Sequence, residues 1–306
     1  MNSVDHATKI VSHLCFSIVV PVILLAALSA SAVGQIKIPD DAPHPLSPAA
    51  SAKSVSLPEG FALELLAAEP LIRNPSGVCW DARGRLFVCE LHGYNLEGQY
   101  DIDELNKTGK LDLEVRRIPA PQEAIEKAEQ DQIGSVKRLI DTDGDGVMDK
   151  AEVWADDLPA CFGLVSARDG VIVVCAPHII FLADRDGDGV AEVREILFTG
   201  FRLGVLERRM SAPQWGADNW IYVGGGGGTI TGPKLDAPVK MPNNDFRFKS
   251  DGSAIESLSA GTWTFGFTFS DSGDRYVIST GTPAIYVAPL PWRYLSRNPH
   301  VGFGRM

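Results

Sequence analysis

Val136-Lys-Arg-Leu-Ile140 runs into Asp141-Thr-Asp-Gly-Asp-Gly-Val-Met-Asp-Lys-Ala-Glu152, and Ile179-Ile-Phe-Leu-Ala183 runs into Asp184-Arg-Asp-Gly-Asp-Gly-Val-Ala-Glu-Val-Arg-Glu195. The second loop begins 43 residues after the first and carries acids at the same offsets. Carboxylates at positions one, three and five can converge on one hard cation only where the backbone turns sharply. Gly146 and Gly189 at position six permit that turn. The spacing predicts two Ca²⁺ sites, with side-chain ligands Asp141, Asp143, Asp145 and Asp149 in the first and Asp184, Asp186, Asp188 and Glu192 in the second. A backbone carbonyl from Val147 or Val190 completes each set. Glu152 and Glu195, at position twelve, lie far enough along the chain to point elsewhere.

A helix-loop-helix calcium sensor needs apolar residues at a 3.6 period on both sides of its loop. Here the preceding runs are short and β-rich, and Ala151-Glu-Val-Trp154 and Val193-Arg-Glu-Ile-Leu-Phe198 alternate afterwards. Such runs read as strands, so each loop is expected to turn an antiparallel hairpin.

A second hairpin pattern recurs around the first. Its copies are Gly77–Val88, Gly163–Val174, Pro213–Val223 and Phe267–Val277, each an apolar strand, a turn with Asp, Asn or Gly, and a β-rich strand. In the first two copies the acidic hairpin follows, and in the third Phe246–Leu258 supplies an ordinary Asp-Gly hairpin in its place. Four strands at a spacing of ~40 to 50 residues is the period of a propeller blade. The fold class read from this is all-β, a β-propeller of four-stranded blades, forming an incomplete part of a six- or seven-bladed ring. A closed four-bladed ring is the alternative. Phe61-Ala-Leu-Glu-Leu-Leu66 reads as an outer strand awaiting a partner, and residues 93–133 read as an insert between adjacent strands of the first blade.

Residues 1–32 read as a signal peptide, with an uncharged apolar stretch that ends in Ala30-Ser-Ala32. An uncleaved membrane anchor is the competing reading. Residues 33–55, rich in Pro, Ala and Ser, read as a linker, and 56–306 as the propeller domain. This places the protein outside the cytoplasm, periplasmic or secreted. The net charge of −11 makes nucleic acid and anionic membrane surfaces poor partners. Beyond the leader four cysteines remain, Cys79, Cys89, Cys161 and Cys175, which allow three pairings; buried free thiols are expected. Cys89 and Cys175 read as equivalent positions of successive repeats.

Leu57-Pro-Glu-Gly-Phe61, Ala68-Glu-Pro-Leu71, Trp80-Asp-Ala-Arg-Gly-Arg-Leu-Phe-Val-Cys-Glu90, the Asp141–Gly146 loop and Trp215-Gly-Ala-Asp-Asn-Trp-Ile-Tyr222 together resemble the N-terminal propeller of large secreted proteins named as membrane-bound dehydrogenases. That propeller is similar to the pyrroloquinoline-quinone (PQQ)-dependent glucose/sorbosone dehydrogenases. The resemblance implies a quinone cofactor, a sugar or alcohol substrate and a cytochrome c as electron acceptor. It also places a base histidine seven residues before Trp215, where this chain has Arg208. Arginine stays protonated and cannot act as a base. A Gly-Asp pair of those enzymes falls at Gly226-Gly227, without its carboxylate.

His92 and His178 follow inner hairpins and are further candidates for a face of the disc. The run Gly224–Gly228 is not a phosphate loop, because Pro233 precedes Lys234 and no helix follows. It reads as a mobile loop or as a close backbone approach to a ligand. Two functions stay open: a quinoprotein-like dehydrogenase, and a calcium-stabilised propeller that binds a glycan or protein and catalyses nothing.

Overall fold

The computed structural model describes residues 46–91, 134–203, 209–258, 264–279, 284–288 and 297. All of them belong to the compact unit made of Pro45–Asp101 and Ile118–Met306. The leader at 1–32, the insert at 93–133, His92 and Arg208 lie outside the described residues.

Antiparallel strands follow one another with few exceptions. Strands β1 (Pro75–Trp80), β2 (Leu86–Leu91), β3 (Gly134–Ile140) and β4 (Lys150–Leu158) pair in that order as a first blade. The second blade has β5 (Leu164–Ala167), β6 (Gly170–Cys175), β7 (His178–Ala183) and β8 (Val193–Phe201), again in order. In the third, β9 (Ser211–Trp215) and β10 (Ile221–Gly224) are continued by β13 (Phe246–Phe248) and β14 (Ile255–Ser257). The fourth holds β15 (Thr264–Phe269), β16 (Arg275–Ser279) and β17 (Ile285–Val287). The first strands of the blades stand side by side, β1 against β5, β5 against β9 and β9 against β15. Radial meanders whose first strands share an axis define a β-propeller.

The core lies between blades. Middle strands are buried on both faces, which is why Val171-Ile-Val-Val-Cys175 reads as an unbroken apolar run. One layer joins Phe87, Cys89, Val136 and Trp154 of the first blade to Val171, Val173 and Leu182 of the second. Trp154 is fully buried, edge-on to Phe87 with ring centroids 4.8 Å apart. The next layer joins Ile172, Val174, Ile179 and Phe181 to Ile221, Val223, Phe246 and Phe248 of the third blade.

Ladder register corrects the equivalence of Cys89 and Cys175. Val136 and Ile179 both precede their acidic loops by five residues; Val136 pairs with Cys89, whereas Ile179 pairs with Val174. Cys89 therefore corresponds to Val174. The slip comes from the turns, since five residues separate Trp80 from its partner Leu86 and only two separate Ala167 from Gly170. Asp81 closes the longer turn. Its Oδ1 accepts from the N–H groups of Arg83 and Arg85 at 2.9 and 2.8 Å, and its Oδ2 from Arg85 Nε at 2.7 Å.

Burial works to raise the pKa of Asp81, but the Arg85 guanidinium and the two backbone donors outweigh it and hold the carboxyl below its ordinary value. A depressed folded pKa contributes stability that is complete above the unfolded value, near 4, and disappears as pH falls through the folded one. Asp81→Asn is expected to cost about 1 kcal/mol at neutral pH. Urea unfolding should show that gap closing in acid.

Two segments depart from the sequence expectation. Within the expected linker, Pro48–Ser54 forms a short exposed helix, α1, with Ser47 as N-cap accepting from Ala50 N–H at 3.3 Å and Pro48 at its first position. The glycine run is packed. It carries the chain from β10 out to a hairpin, β11 (Gly228–Thr231) and β12 (Val239–Met241), which pairs with β8 and extends the second blade to six strands before the chain returns to β13. A Cβ on Gly226 would lie 2.5 Å from the Asn244 carbonyl oxygen, so glycine is needed for passage between two blades.

Candidate metal centres and central cavity

Each acidic loop does turn between paired strands, with Ile140 opposite Lys150 and Ala183 opposite Val193. The internal bonding of the two loops is the same. Asp141 Oδ1 and Oδ2 accept from Gly144 and Gly146 N–H at 2.7 and 2.9 Å, and Asp184 accepts from Gly187 and Gly189 at 2.7 and 3.2 Å. Gly146 and Gly189 have φ of 91° and 96°, in the left-handed region that the fold of the loop requires. The N–H groups of Gly146 and Gly144 hold the Asp141 carboxyl below its ordinary pKa.

Carboxylate oxygens of Asp141, Asp143 and Asp149 come within 4.8 Å of one another, and so do those of Asp184, Asp186 and Glu192. These are positions one, three and nine. The position-five acids are not among those three, although their backbone bonding matches that of position three: Asp145 Oδ1 accepts from Val147 N–H and Asp188 Oδ1 from Val190 N–H at 2.8 Å, as Asp143 and Asp186 accept from Asp145 and Asp188 N–H at 3.3 and 3.2 Å. Glu152 instead bridges Arg138 and Lys150 at 2.5 and 2.7 Å, and Glu195 pairs with Arg168 at 2.9 Å. Three ionised carboxylates drawn together repel one another unless a cation sits among them. An all-oxygen donor set on a glycine-turned loop fits a hard divalent ion such as Ca²⁺.

Each loop also touches the element on its far side. Ala191 N–H donates to the Trp154 carbonyl of β4 at 2.7 Å, and Met148 N–H, at the same loop position, donates to the Leu66 carbonyl at 2.8 Å. The loops thus fasten their hairpin tips to neighbouring segments.

The first strands line the second place of interest, an open depression of about 510 Å³. Val78 and Cys79 of β1, Leu164 and Val165 of β5, Ala212–Trp215 around β9, and Gly266 and Phe267 of β15 line it. Gln214 Oε1 is buried without a hydrogen-bond partner, while Trp215 Nε1 donates to the Ser166 carbonyl at 2.8 Å and leaves its ring partly exposed. Cys79 is the only ionisable lining residue among those described, and burial, reinforced by Cys89 and Asp81, pushes its thiol up to about 12. A thiol so raised is no nucleophile at neutral pH. His178 is half-buried at the start of β7, outside this lining, and burial lowers its pKa so that it is neutral there. PQQ carries three carboxylates, and the described lining offers no Arg, Lys or His to receive them; these residues do not fit that cofactor.

Sequence reasoning missed a buried charge pair. Asp245, fully buried, accepts from Arg275 Nη1 at 2.5 Å and from Gly225 N–H at 3.0 Å, and its carbonyl accepts from Leu258 N–H at 2.7 Å. It ties the glycine crossover, the third blade and the fourth together. Asn-Asn-Asp245 reads as turn chemistry, so only the long spacing to Arg275 carried the signal.

Residues 47–305 match the family described as a domain of unknown function, DUF7133. The chain belongs to that family. No curated protein matches it. Among solved structures, a DUF7133 chain such as this one is similar to a protein designated as a gluconolactonase, at 14% identity and a TM-score of 0.38, over 72% of this chain and 61% of the other. It is also similar to a protein designated as a 6-phosphogluconolactonase from Bacteroides uniformis, at 11% identity and a TM-score of 0.36, over 76% and 61%. Virginiamycin B lyase from Staphylococcus aureus follows at 14% identity and a TM-score of 0.28, over 74% and 87%. The chain spans less than two thirds of the first two structures. The propeller reading rests on this protein's own strand order. Among the described residues no helix is long and apolar enough to cross a membrane.

Proposed function

We propose that this DUF7133 protein is a calcium-clipped, non-catalytic propeller that works outside the cytoplasm and holds an uncharged glycan in the depression between its first strands. The observation that carries this reading is the lining itself: apolar walls, an aromatic ring at Trp215, one unsatisfied amide oxygen at Gln214 and, among the described residues, no group that ionises near neutral pH. Such a surface offers a sugar ring a stacking face, and a turn of the Gln214 side chain would bring its buried, unsatisfied oxygen to a hydroxyl. Among its described residues there is no general base. Extracytoplasmic placement rests on the leader pattern at 1–32, and calcium rests on the converging carboxylates of the two loops.

Calorimetric titration with a panel of neutral oligosaccharides, in the presence of Ca²⁺, tests the proposal. One or more should bind, and Trp215→Ala and Gln214→Leu should each weaken that ligand by about tenfold or more. The dehydrogenase reading is tested on the same protein by adding PQQ and Ca²⁺ and following dye reduction with aldoses. Sugar-dependent reduction would overturn the non-catalytic assignment.

A further inference from the structure

The first strands of the first and second blades begin with the same irregularity. In the first blade Gly77 stands opposite Cys89 and Pro75 opposite Glu90, so Ser76 and Gly77 share one partner in a bulge. In the second, the ladder runs back from Ala167 opposite Gly170 to Leu164 opposite Val173. Beyond it, Phe162 N–H donates to the Val174 carbonyl and Val174 N–H to the Gly163 carbonyl, both at 3.0 Å. Phe162 and Gly163 therefore share Val174 as Ser76 and Gly77 share Cys89. The next facing pair is Cys161 and Cys175, where the first blade has Pro75 and Glu90.

Residues facing each other at such a non-hydrogen-bonded position have Cα atoms about 4.5 Å apart, inside the range of about 4.4–6.8 Å that a disulfide spans. Both cysteines are fully buried in the layer between the first two blades. The Cys161 thiol is in hydrogen-bonding contact with Cys175, and that contact together with burial raises its pKa well above the ordinary value. The other two thiols are placed differently. Cys79 stands opposite Phe87 and Cys89 opposite Gly77, which makes them diagonal neighbours, about 7–8 Å apart and beyond easy bridging. Ser76 Oγ lies 3.3 Å from Cys89 Sγ and donates to the Cys161 carbonyl at 2.6 Å, so a hydroxyl stands between Cys89 and the backbone of Cys161. All four are free thiols in the structure.

We propose that Cys161 and Cys175 are joined by a disulfide as the chain folds, clamping the connection between the first and second blades to the end of β6. One thiolate of the pair attacks the S–S bond of a small disulfide such as oxidised glutathione and releases one glutathione thiol. The second thiolate attacks the resulting mixed disulfide and releases the other, so one S–S bond is exchanged for another and the two protein protons end on glutathione. The exchange precedes closure of the blades, because in the folded protein both sulfurs are buried and Cys161 stays protonated. The link closes a loop holding β5, whose Leu164 and Val165 line the depression, and it restricts the unfolded chain. In the cell the oxidising surroundings rest on the extracytoplasmic reading above.

Cell-free synthesis of the full chain with Ca²⁺, in a glutathione redox buffer or in reductant, tests the pairing without export or refolding. Peptide mapping of the glutathione product, unfolded and alkylated without reduction, is expected to show Cys161 linked to Cys175, with Cys79 and Cys89 alkylated. That product should melt about 5 °C or more above the reduced one, and reductant should remove the gain only after denaturant has exposed the sulfurs. Cys161→Ala and Cys175→Ala should each abolish the gain, and Cys79→Ala should retain it. Four alkylated cysteines from the glutathione buffer, or a bond that includes Cys79 or Cys89, would overturn the proposal. The map of the wild type gives that answer even where a variant fails to fold. A chain found in the cytoplasm by cell fractionation, yet linked in glutathione, would overturn the extracytoplasmic reading and leave the pairing standing.

Discussion

Asp245→Ala is expected to lower unfolding free energy by about 3–5 kcal/mol, because it strands a buried cation. Arg275 is 7% exposed, and its ion-pair partner in the structure is Asp245, at 2.5 Å. Removing the carboxylate also leaves Gly225 N–H without its acceptor, just where the chain leaves the third blade. The loss arises from the charge left behind rather than from the net worth of the pair. Replacing both, as Asp245→Ala with Arg275→Met, should therefore recover most of it. Urea unfolding of the wild type, the two single variants and the double variant checks this as a cycle. If Arg275→Met in the Asp245→Ala background recovers nothing, the buried pair is not what joins the blades.

Gly228→Ala should be of similar size for a different reason. Gly228 has φ of 127°, and a Cβ there would lie 2.2 Å from the Gly200 carbonyl oxygen, on the strand with which β11 pairs. Backbone strain of about 1–3 kcal/mol adds to overpacking of about 1–3 kcal/mol. Neither can relax cheaply, since the opposing atom is backbone. Gly273→Ala is the matching control: its φ is 84°, but a Cβ would meet nothing within 4 Å. Thermal melts should show a large drop for Gly228→Ala and a small one for Gly273→Ala. Equal drops would mean that the crossover is not packed as described.

These two sites also mark where sequence reading stopped. The hairpins were legible because their cues are local: Asp-Gly turns, β-rich runs and acids at fixed offsets in Asp141–Glu152 and Asp184–Glu195. The blade count up to β17 followed from their recurrence. The route of Gly224–Met241 was not legible, because five glycines fit a free loop as well as a tight crossover, and what decides is the approach of Gly200 and Asn244 from elsewhere in the chain. The one-residue slip at Cys89 was hidden by a difference in turn length, which ladder pairing alone reveals. At the candidate metal centres, offsets pointed to four acids per loop, and those at positions one, three and nine converge. Asp143 and Asp145 both accept from a backbone N–H two residues on, as Asp186 and Asp188 do, so that bond does not sort a ligand from its neighbour. The depression was illegible for another reason: its walls are single residues drawn from four strands far apart in the chain.

The central claim is that the two loops are calcium clips on the blades of a propeller. Its most direct test is thermal unfolding of the same protein in excess chelator and in Ca²⁺. Binding at one hundred times the dissociation constant adds about 2.7 kcal/mol per site, so the melting temperature should rise steeply with Ca²⁺, and Asp143→Ala or Asp186→Ala should each remove part of the rise. Melts that superimpose in chelator and in millimolar Ca²⁺ would contradict the claim.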